Sequence, residues 1–131
     1  MNLSAVERDY ATEWWARVRA GECVAQQCES CGALQLYPRR RCVACGSAAM
    51  GVAPVLGAGT LYTFCTVYRN APGGFNDQLP YTLAIVVLDE GPRMLTRLVN
   101  CAPEGLQCDM RVRWTLARIG DRDLPCFEPA P

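Results

Sequence analysis

The feature that most constrains the fold of this chain is a pair of cysteine motifs, Cys28-Glu29-Ser30-Cys31-Gly32 and Cys42-Val43-Ala44-Cys45-Gly46. Two residues between the cysteines let one tight turn direct both sulfurs at one ion, and the following glycine can adopt the positive φ angle that such a turn needs. Two such turns complete a tetrahedron. The sequence therefore predicts a rubredoxin-like zinc ribbon with the ligands Cys28, Cys31, Cys42 and Cys45, while iron at the same site or two disulfides remain as alternatives.

The predicted zinc ion has a structural role. Four thiolates leave no coordination position for water or substrate, and a ribbon of so few residues cannot bury a sufficient core without a metal. The odd total of nine cysteines and the lack of a basic-then-apolar start favour metal binding in a reducing compartment, so we expect a cytoplasmic protein. Cys23 is a spare thiol. We expect the remaining four to be small buried hydrophobes: Cys65, Cys101, Cys108 and Cys126.

Missing residue types exclude most catalytic schemes. The chain has no histidine and no lysine, so it can supply neither an imidazole base nor a Schiff base. Its thirteen arginines balance thirteen acidic residues, and no global field attracts it to nucleic acid or to an anionic membrane. Adjacent Asp89 and Glu90 leave a carboxylate-based acyl-CoA enzyme as an alternative, although acidic residues in a turn are ordinarily solvated. We expect a chain that is not itself an enzyme.

An amphipathic helix is predicted over residues 4–19, within an N-terminal segment 1–21. Ser4 and Glu7 fit a capping box, and apolar residues recur at every fourth position until Gly21 ends the helix. Its aromatic stripe packs either on this chain's own body or on a partner surface. For a partner surface, the candidate contacts are Tyr10, Trp14 and Trp15.

The ribbon occupies residues 22–50, and β-rich runs follow over 51–131, which ends in a proline-rich tail. The run 81–88 is apolar on both alternating faces, as in a central strand, and the turn 89–92 joins it to the next strand as a hairpin. A long loop, 69–80, is either an inert connection or a functional element near a partner's acyl-CoA entrance, with Arg69 and Phe75 as its contacts. Five strands are predicted, at 61–68, 81–88, 93–99, 111–119 and 124–127, and the last of them is a short edge piece. This number of strands predicts an OB-type barrel in a small α+β chain that is mostly β.

Several motifs in this order resemble the zinc-ribbon plus OB-fold family known as domain of unknown function thirty-five. The resemblance covers essentially the whole chain, and one departure is Cys108-Asp109-Met110, where the family often has a glycine before the last long strand. It is carried by Trp14-Trp15, Gly21-Glu22, the paired cysteine motifs, Pro38-Arg39, Gly57-Ala58-Gly59-Thr60-Leu61, Pro80-Tyr81 and Leu88-Asp89-Glu90-Gly91.

This resemblance implies an accessory role. Members of the family typically associate with thiolase-fold proteins, in acyl-CoA condensation or in retro-aldol cleavage of steroid side-chain CoA thioesters, and the catalytic residues lie on the partner. The resemblance therefore implies a thiolase-fold partner for this chain, with acyl-CoA as an indirect ligand. Since two-fold symmetric partners offer two equivalent docking sites, we expect two copies of each chain in the complex.

A single-stranded nucleic-acid-binding module is the alternative function. Tyr62, Phe64 and Tyr68 could stack bases while the arginines at 39–41 follow phosphates. These aromatics could equally belong to the core and the arginines to a solvated turn. Zero net charge gives the chain no broad basic footprint, so neither nucleic acid nor a membrane is expected as its partner.

Overall fold

The computed structural model describes residues 9–69, 71 and 77–130. The predicted capping box of Ser4 and Glu7 lies outside these ranges. A 3-10 turn, Asp9–Ala11, leads into helix α1, Thr12–Arg19, so the α-helix proper begins later than the apolar periodicity indicates. Gly21 ends this segment at a φ of 95°, as expected for a helix stop. No helix among the described residues is long and apolar enough to cross a membrane.

The ribbon contributes a small antiparallel sheet. Its strands are β1, Val24–Cys28, β2, Leu34–Gln35, and β3, Met50–Pro54, with β1 in the centre. Strand β3 pairs with β1 along its whole length, from Val24 opposite Pro54 to Cys28 opposite Met50. The ribbon sheet therefore reaches past residue 50, where the sequence pattern places the start of the barrel segment.

A closed five-stranded barrel follows the ribbon, which confirms the predicted OB-type fold. Its strands are β4, Ala58–Val67, β5, Tyr81–Leu88, β6, Arg93–Leu98, β7, Arg111–Ile119, and β8, Arg122–Pro129. They close in the order β4-β5-β6-β8-β7. The hairpin between β5 and β6 turns as predicted, with Gly91 at a φ of 114° and its N–H bonded to the Leu88 carbonyl at 2.8 Å.

The last strand differs from the prediction. The sequence indicated a short edge piece at 124–127, but β8 is eight residues long and inserts between β6 and β7, where it closes the barrel. Pro125 and Pro129 are part of this strand rather than of a tail. Strand β8 pairs with β6 only at Leu98 opposite Phe127. Because few backbone hydrogen bonds join these two strands, β8 can contain prolines, which have no N–H to donate.

One apolar core joins the helix, the ribbon sheet and the barrel. It includes Val18 from α1, Val24 from β1, Leu61 from β4, Val86 from β5 and Phe127 from β8. These side chains come from all three segments, so each segment buries the apolar face of another. The helix therefore packs on the chain's own body.

Candidate functional site

The two cysteine turns have the same local geometry. Gly32 and Gly46 both adopt a φ of 80°, as the motif predicts, and the N–H of each donates to the carbonyl of the first cysteine of its motif at 2.9 Å. The turns face each other across the ribbon, where the hydroxyl oxygens of Ser30 and Ser47 lie 2.9 Å apart. Each turn therefore directs a pair of thiols towards the other.

The four predicted sulfurs form one cluster. All four Sγ atoms lie within 4.8 Å of one another. The Cys28–Cys45 and Cys31–Cys42 pairs are 3.6 Å apart, which is beyond the ~2.05 Å of a disulfide bond. Zinc–sulfur bonds of about 2.3 Å in a tetrahedron place the sulfurs about 3.8 Å apart, so the cluster fits a structural zinc ion.

Backbone N–H groups prepare the inner sulfurs for a cation. The N–H groups of Cys31 and Ser30 both donate to the Cys28 sulfur at 3.4 Å, and these bonds lower the pKa of Cys28 to about 6. Backbone bonds from Cys45 and Ala44 lower the pKa of Cys42 in the same way. Both thiols are buried, whereas Cys31 and Cys45 are exposed. At these two inner sulfurs the backbone thus favours the thiolate form that zinc binds, whereas the pKa values of Cys31 and Cys45 are raised.

The Gly32→Ala variant tests the turn geometry alone. No atom lies within 4 Å of a Cβ at this position, so the cost comes from the positive φ angle. We expect a loss of about 1 kcal/mol in the free energy of unfolding. The matched control is Gly105→Ala, because Gly105 has equally open surroundings and no positive φ. Chemical denaturation of both zinc-loaded variants measures the difference in their free energies of unfolding. Equal stabilities would contradict the requirement for a positive φ angle at Gly32.

The other cysteines divide in a way that the sequence did not predict. Cys126 is buried and Cys101 half-buried, but Cys65 and Cys108 are exposed. Cys65 falls on the outward alternation of β4, and Cys108 lies in the turn before β7. Cys23 precedes β1, at the end opposite Cys28, and packs against Gly57 rather than joining the sulfur cluster.

The helix aromatics do not form an exposed surface. Trp14 is 1% and Trp15 7% exposed, and the Trp14 indole N–H donates to the Val24 carbonyl at 2.8 Å. Tyr10 is half-buried beneath the guanidinium of Arg40. The two indoles therefore belong to this chain's own core, and their expected contact with a partner stays a prediction.

Arg69 is exposed just beyond the end of β4. Phe75, the other predicted contact in this loop, lies outside the described residues. The role of both residues at a partner's acyl-CoA entrance stays a prediction.

Both carboxylates of the β5–β6 turn have structural partners. Asp89 accepts two hydrogen bonds from Arg111, at 2.8 and 2.7 Å, and Arg111 lowers the pKa of that carboxyl. Glu90 accepts a bond of 2.7 Å from the Leu56 N–H. A carboxylate that is paired and held ionised is a poor general acid, which weakens the reading of this turn as a catalytic site.

An exposed apolar face lies on the outside of the barrel, and the sequence prediction missed it. Leu83 on β5 is 38% and Leu95 on β6 58% exposed, and Ile85 pairs with Leu95 in the register of the two strands. Tyr62 on β4 is also exposed. The signal was visible as apolar residues on both alternating faces of 81–88, but that pattern indicated a strand covered on both sides. We call Tyr62, Leu83, Ile85 and Leu95 the outer apolar face.

The three aromatics considered for base stacking do not share one surface. Phe64 packs against the core, opposite Ala84, whereas Tyr62 and Tyr68 are exposed. The Tyr62 ring is covered by the guanidinium of Arg93, whose carbon lies 4.5 Å from the ring centroid.

A helix, a four-cysteine ribbon and a closed five-stranded barrel together define a zinc-ribbon and OB-fold protein. Two family models match these parts: the rubredoxin-like zinc ribbon domain of ChsH2 at residues 15–51 and the C-terminal OB-fold domain of ChsH2 at residues 53–117. A DUF35 domain-containing scaffold protein of Methanocaldococcus jannaschii is 31% identical over 80% of this chain and 75% of its own length. The chain belongs to the DUF35 family.

Two other relatives extend the comparison. A DUF35 domain-containing scaffold protein of Pyrococcus furiosus is 37% identical over 67% of this chain and 65% of its own length. A protein of Thermomonospora curvata, described as a probable enoyl-CoA hydratase alpha subunit, is 32% identical over 96% of this chain. The present chain spans only 39% of that relative's length.

Solved structures show the same architecture. A chain of the Ltp2-ChsH2(DUF35) aldolase superposes with a TM-score of 0.80 at 28% identity, over 93% of this chain and 95% of the other. A DUF35 protein of unknown function from Sulfolobus solfataricus superposes with a TM-score of 0.63 over 93% of this chain and 86% of the other. Its identity of 10% supports the fold alone.

Proposed function

We propose that this chain is a non-catalytic accessory subunit of a thiolase-fold acyl-CoA enzyme, which it stabilises and whose acyl-CoA site it shapes. The observation that carries the proposal is the outer apolar face, because exposed leucines on the outside of a closed barrel do not contribute to its core. Contiguous exposed apolar surface marks sites of protein interaction. A partner that covers this face would bury it.

The relatives support the same function. Two are described as scaffold proteins, and the superposed chain comes from an aldolase that contains a DUF35 component. The absence of histidine and lysine fits a subunit whose partner performs the chemistry. We place the partner in acyl-CoA metabolism of lipids or steroids, as a thiolase or a side-chain aldolase, and we expect a hetero-oligomer with two copies of each chain.

Affinity purification of the tagged chain from its native extract tests this function. Mass spectrometry of the co-purified material should identify a thiolase-fold protein in equimolar amount, and light scattering of the complex should give the mass of two copies of each chain. Turnover of acyl-CoA should require the partner. Acyl-CoA turnover by the isolated chain, or a native complex without any thiolase-fold protein, would contradict the proposal.

Replacement of Leu83 and Leu95 by aspartate should weaken the complex by about tenfold or more, because binding would then bury unpaired carboxylates in an apolar contact. Both side chains are exposed, so the isolated chain should keep its fold. The control is Leu56→Asp, since Leu56 is 82% exposed and lies outside the outer apolar face. Calorimetric titration of the partner gives both dissociation constants. Equal affinities for the two variants would mean that the interface does not include the outer apolar face.

A further inference from the structure

Arg39, Arg40 and Arg93 lie where the ribbon meets the barrel, and they are among the described arginines for which the structure shows no acidic partner. Five other arginines form ion pairs with carboxylates, among them Arg111 with Asp89 and Arg113 with Glu128. Within the described ranges, Arg39, Arg40 and Arg93 have no carboxylate within ion-pair distance. We call these three residues the arginine seam, because Arg39 and Arg40 lie on the ribbon and Arg93 on the facing barrel strand.

Buried glutamines hold the ribbon side of this seam in place. Gln26, which is 2% exposed, donates to the Arg39 carbonyl and accepts from the Arg39 N–H, both at 2.8 Å. Gln35, 6% exposed, donates to Gln26 at 2.6 Å and to the Arg41 carbonyl at 3.2 Å, and it accepts from the Val43 N–H. A solvated turn needs no such side-chain hydrogen bonds, since water can pair with its backbone N–H and carbonyl groups. The network fixes the arginine backbone in advance and reduces the ordering cost of binding.

The guanidinium groups of two seam residues lie over aromatic rings. Arg93 covers Tyr62 at 4.5 Å, and Arg40 covers Tyr10 at 5.2 Å. Stacking uses the flat face of a guanidinium, so its N–H donors at the edge stay available for a carboxylate. The rings orient the two cations without neutralising them.

The seam runs along a divided groove between ribbon and barrel. Arg39 and Arg93 line the same cleft of about 420 Å³, together with the apolar side chains of Leu34, Leu36 and Val43. An apolar pocket of about 470 Å³ adjoins it. Its lining includes Tyr10, Trp15, Tyr37, Pro38, Leu83 and Leu95. Residues 36–39 and β6 contribute to the lining of both cavities, and the hydrogen bond from the Tyr37 hydroxyl to the Leu95 carbonyl joins these two segments.

We infer that this groove receives an acidic segment of the partner protein, whose carboxylates pair with Arg39 and Arg93 and whose apolar side chain enters the pocket beside Leu95. The inference rests on the proposed function and adds the docking chemistry. Cations without acidic partners next to an apolar pocket are complementary to such a segment. The pocket is also continuous with the outer apolar face, because Leu83 and Leu95 belong to both.

A single-stranded nucleic acid fits this groove less well than an acidic peptide does. Nonspecific strand binding combines a cationic track with aromatic rings on which bases stack. Here an arginine already stacks on one face of each of the Tyr10 and Tyr62 rings, and Trp15 is buried. The pocket of about 470 Å³ is lined mainly by apolar side chains, which suits a protein side chain better than a phosphate backbone.

The double charge reversal Arg39→Glu with Arg93→Glu tests the inference in the full zinc-loaded chain. Its affinity for the co-purified thiolase-fold partner should fall by about tenfold or more, and the dependence of binding on salt should become weaker or reverse. The matched control is Arg113→Glu with Arg118→Glu, which changes the net charge equally on β7. That strand is not adjacent to β6, and its arginines form exposed ion pairs of little energetic weight. The control should bind within about threefold of the wild type.

Zinc content and melting temperature establish that both variants are folded, and the neutral variant Arg39→Gln with Arg93→Gln should give an intermediate affinity. If the wild type forms no complex with a thiolase-fold protein, the proposed function fails and the seam loses its partner. If the wild type forms the complex and the seam variant binds equally well, the seam alone is overturned. Salt-dependent binding of a thymidine oligonucleotide that the seam variant abolishes would also overturn it, in favour of a nucleic acid.

Discussion

Replacement of Cys28 and Cys42 by alanine is expected to unfold the ribbon and abolish zinc binding. These two thiols are the buried members of the sulfur cluster, and each accepts the backbone bonds that order its turn. Structural zinc in small ribbons contributes on the order of 10 kcal/mol or more to folding. So large a loss cannot be recovered by a three-stranded sheet whose β2 has only two residues. Removal of zinc by a chelator should have the same effect on the wild type.

Metal analysis and thermal unfolding measure this effect, and tryptophan fluorescence reports on it, because the Trp14 indole is bonded to β1. The control is the Cys65→Ser and Cys108→Ser variant, which also removes two cysteines but only exposed ones outside the cluster. It should bind zinc with a nearly unchanged melting temperature. A Cys28→Ala and Cys42→Ala variant that melts like the wild type with no bound metal would refute the structural role of zinc.

Trp14→Ala should cost about 3–5 kcal/mol of unfolding free energy, the range for a large aromatic side chain removed from a core. Trp14 is nearly fully buried, and its ring lies 4.8 Å from Trp15 and 5.5 Å from Tyr37 in edge-to-face contacts. For a chain of this size the melting temperature should fall by roughly 10 °C or more. Trp14→Phe keeps most of the ring but loses the bond to Val24, so it should cost less.

A binding measurement separates this core role from the docking role that the sequence left open. Below its melting temperature, folded Trp14→Ala should bind the partner with an affinity near that of the wild type. The surface control Leu56→Ala should change stability by less than about 0.5 kcal/mol. A Trp14→Ala variant that keeps its melting temperature but loses the complex would place the docking surface on the helix.

The barrel strands show which parts of the fold local sequence patterns can predict. Turn residues and alternation predicted β5 and β7 with the observed bounds, because a hairpin turn and a half-buried strand are encoded within a few neighbouring residues. Strand β8 was underestimated, since its prolines disfavour a strand locally. Its place between β6 and β7 depends on residues distant in sequence, including the bond from the Thr96 hydroxyl to the Pro125 carbonyl.

The sequence by itself determined the metal centre, since the two C-x-x-C-G turns set the positions of their sulfurs through local backbone geometry. It also excluded an imidazole base and a lysine Schiff base, because this chain has neither histidine nor lysine. Only the tertiary structure decided which apolar residues are exposed. The helix stripe and both faces of 81–88 are similarly apolar in sequence, yet Trp14 is buried while Leu83 and Leu95 are not. Burial depends on which distant segments come together, and so does the fixing of the Arg39 backbone by Gln26 of β1.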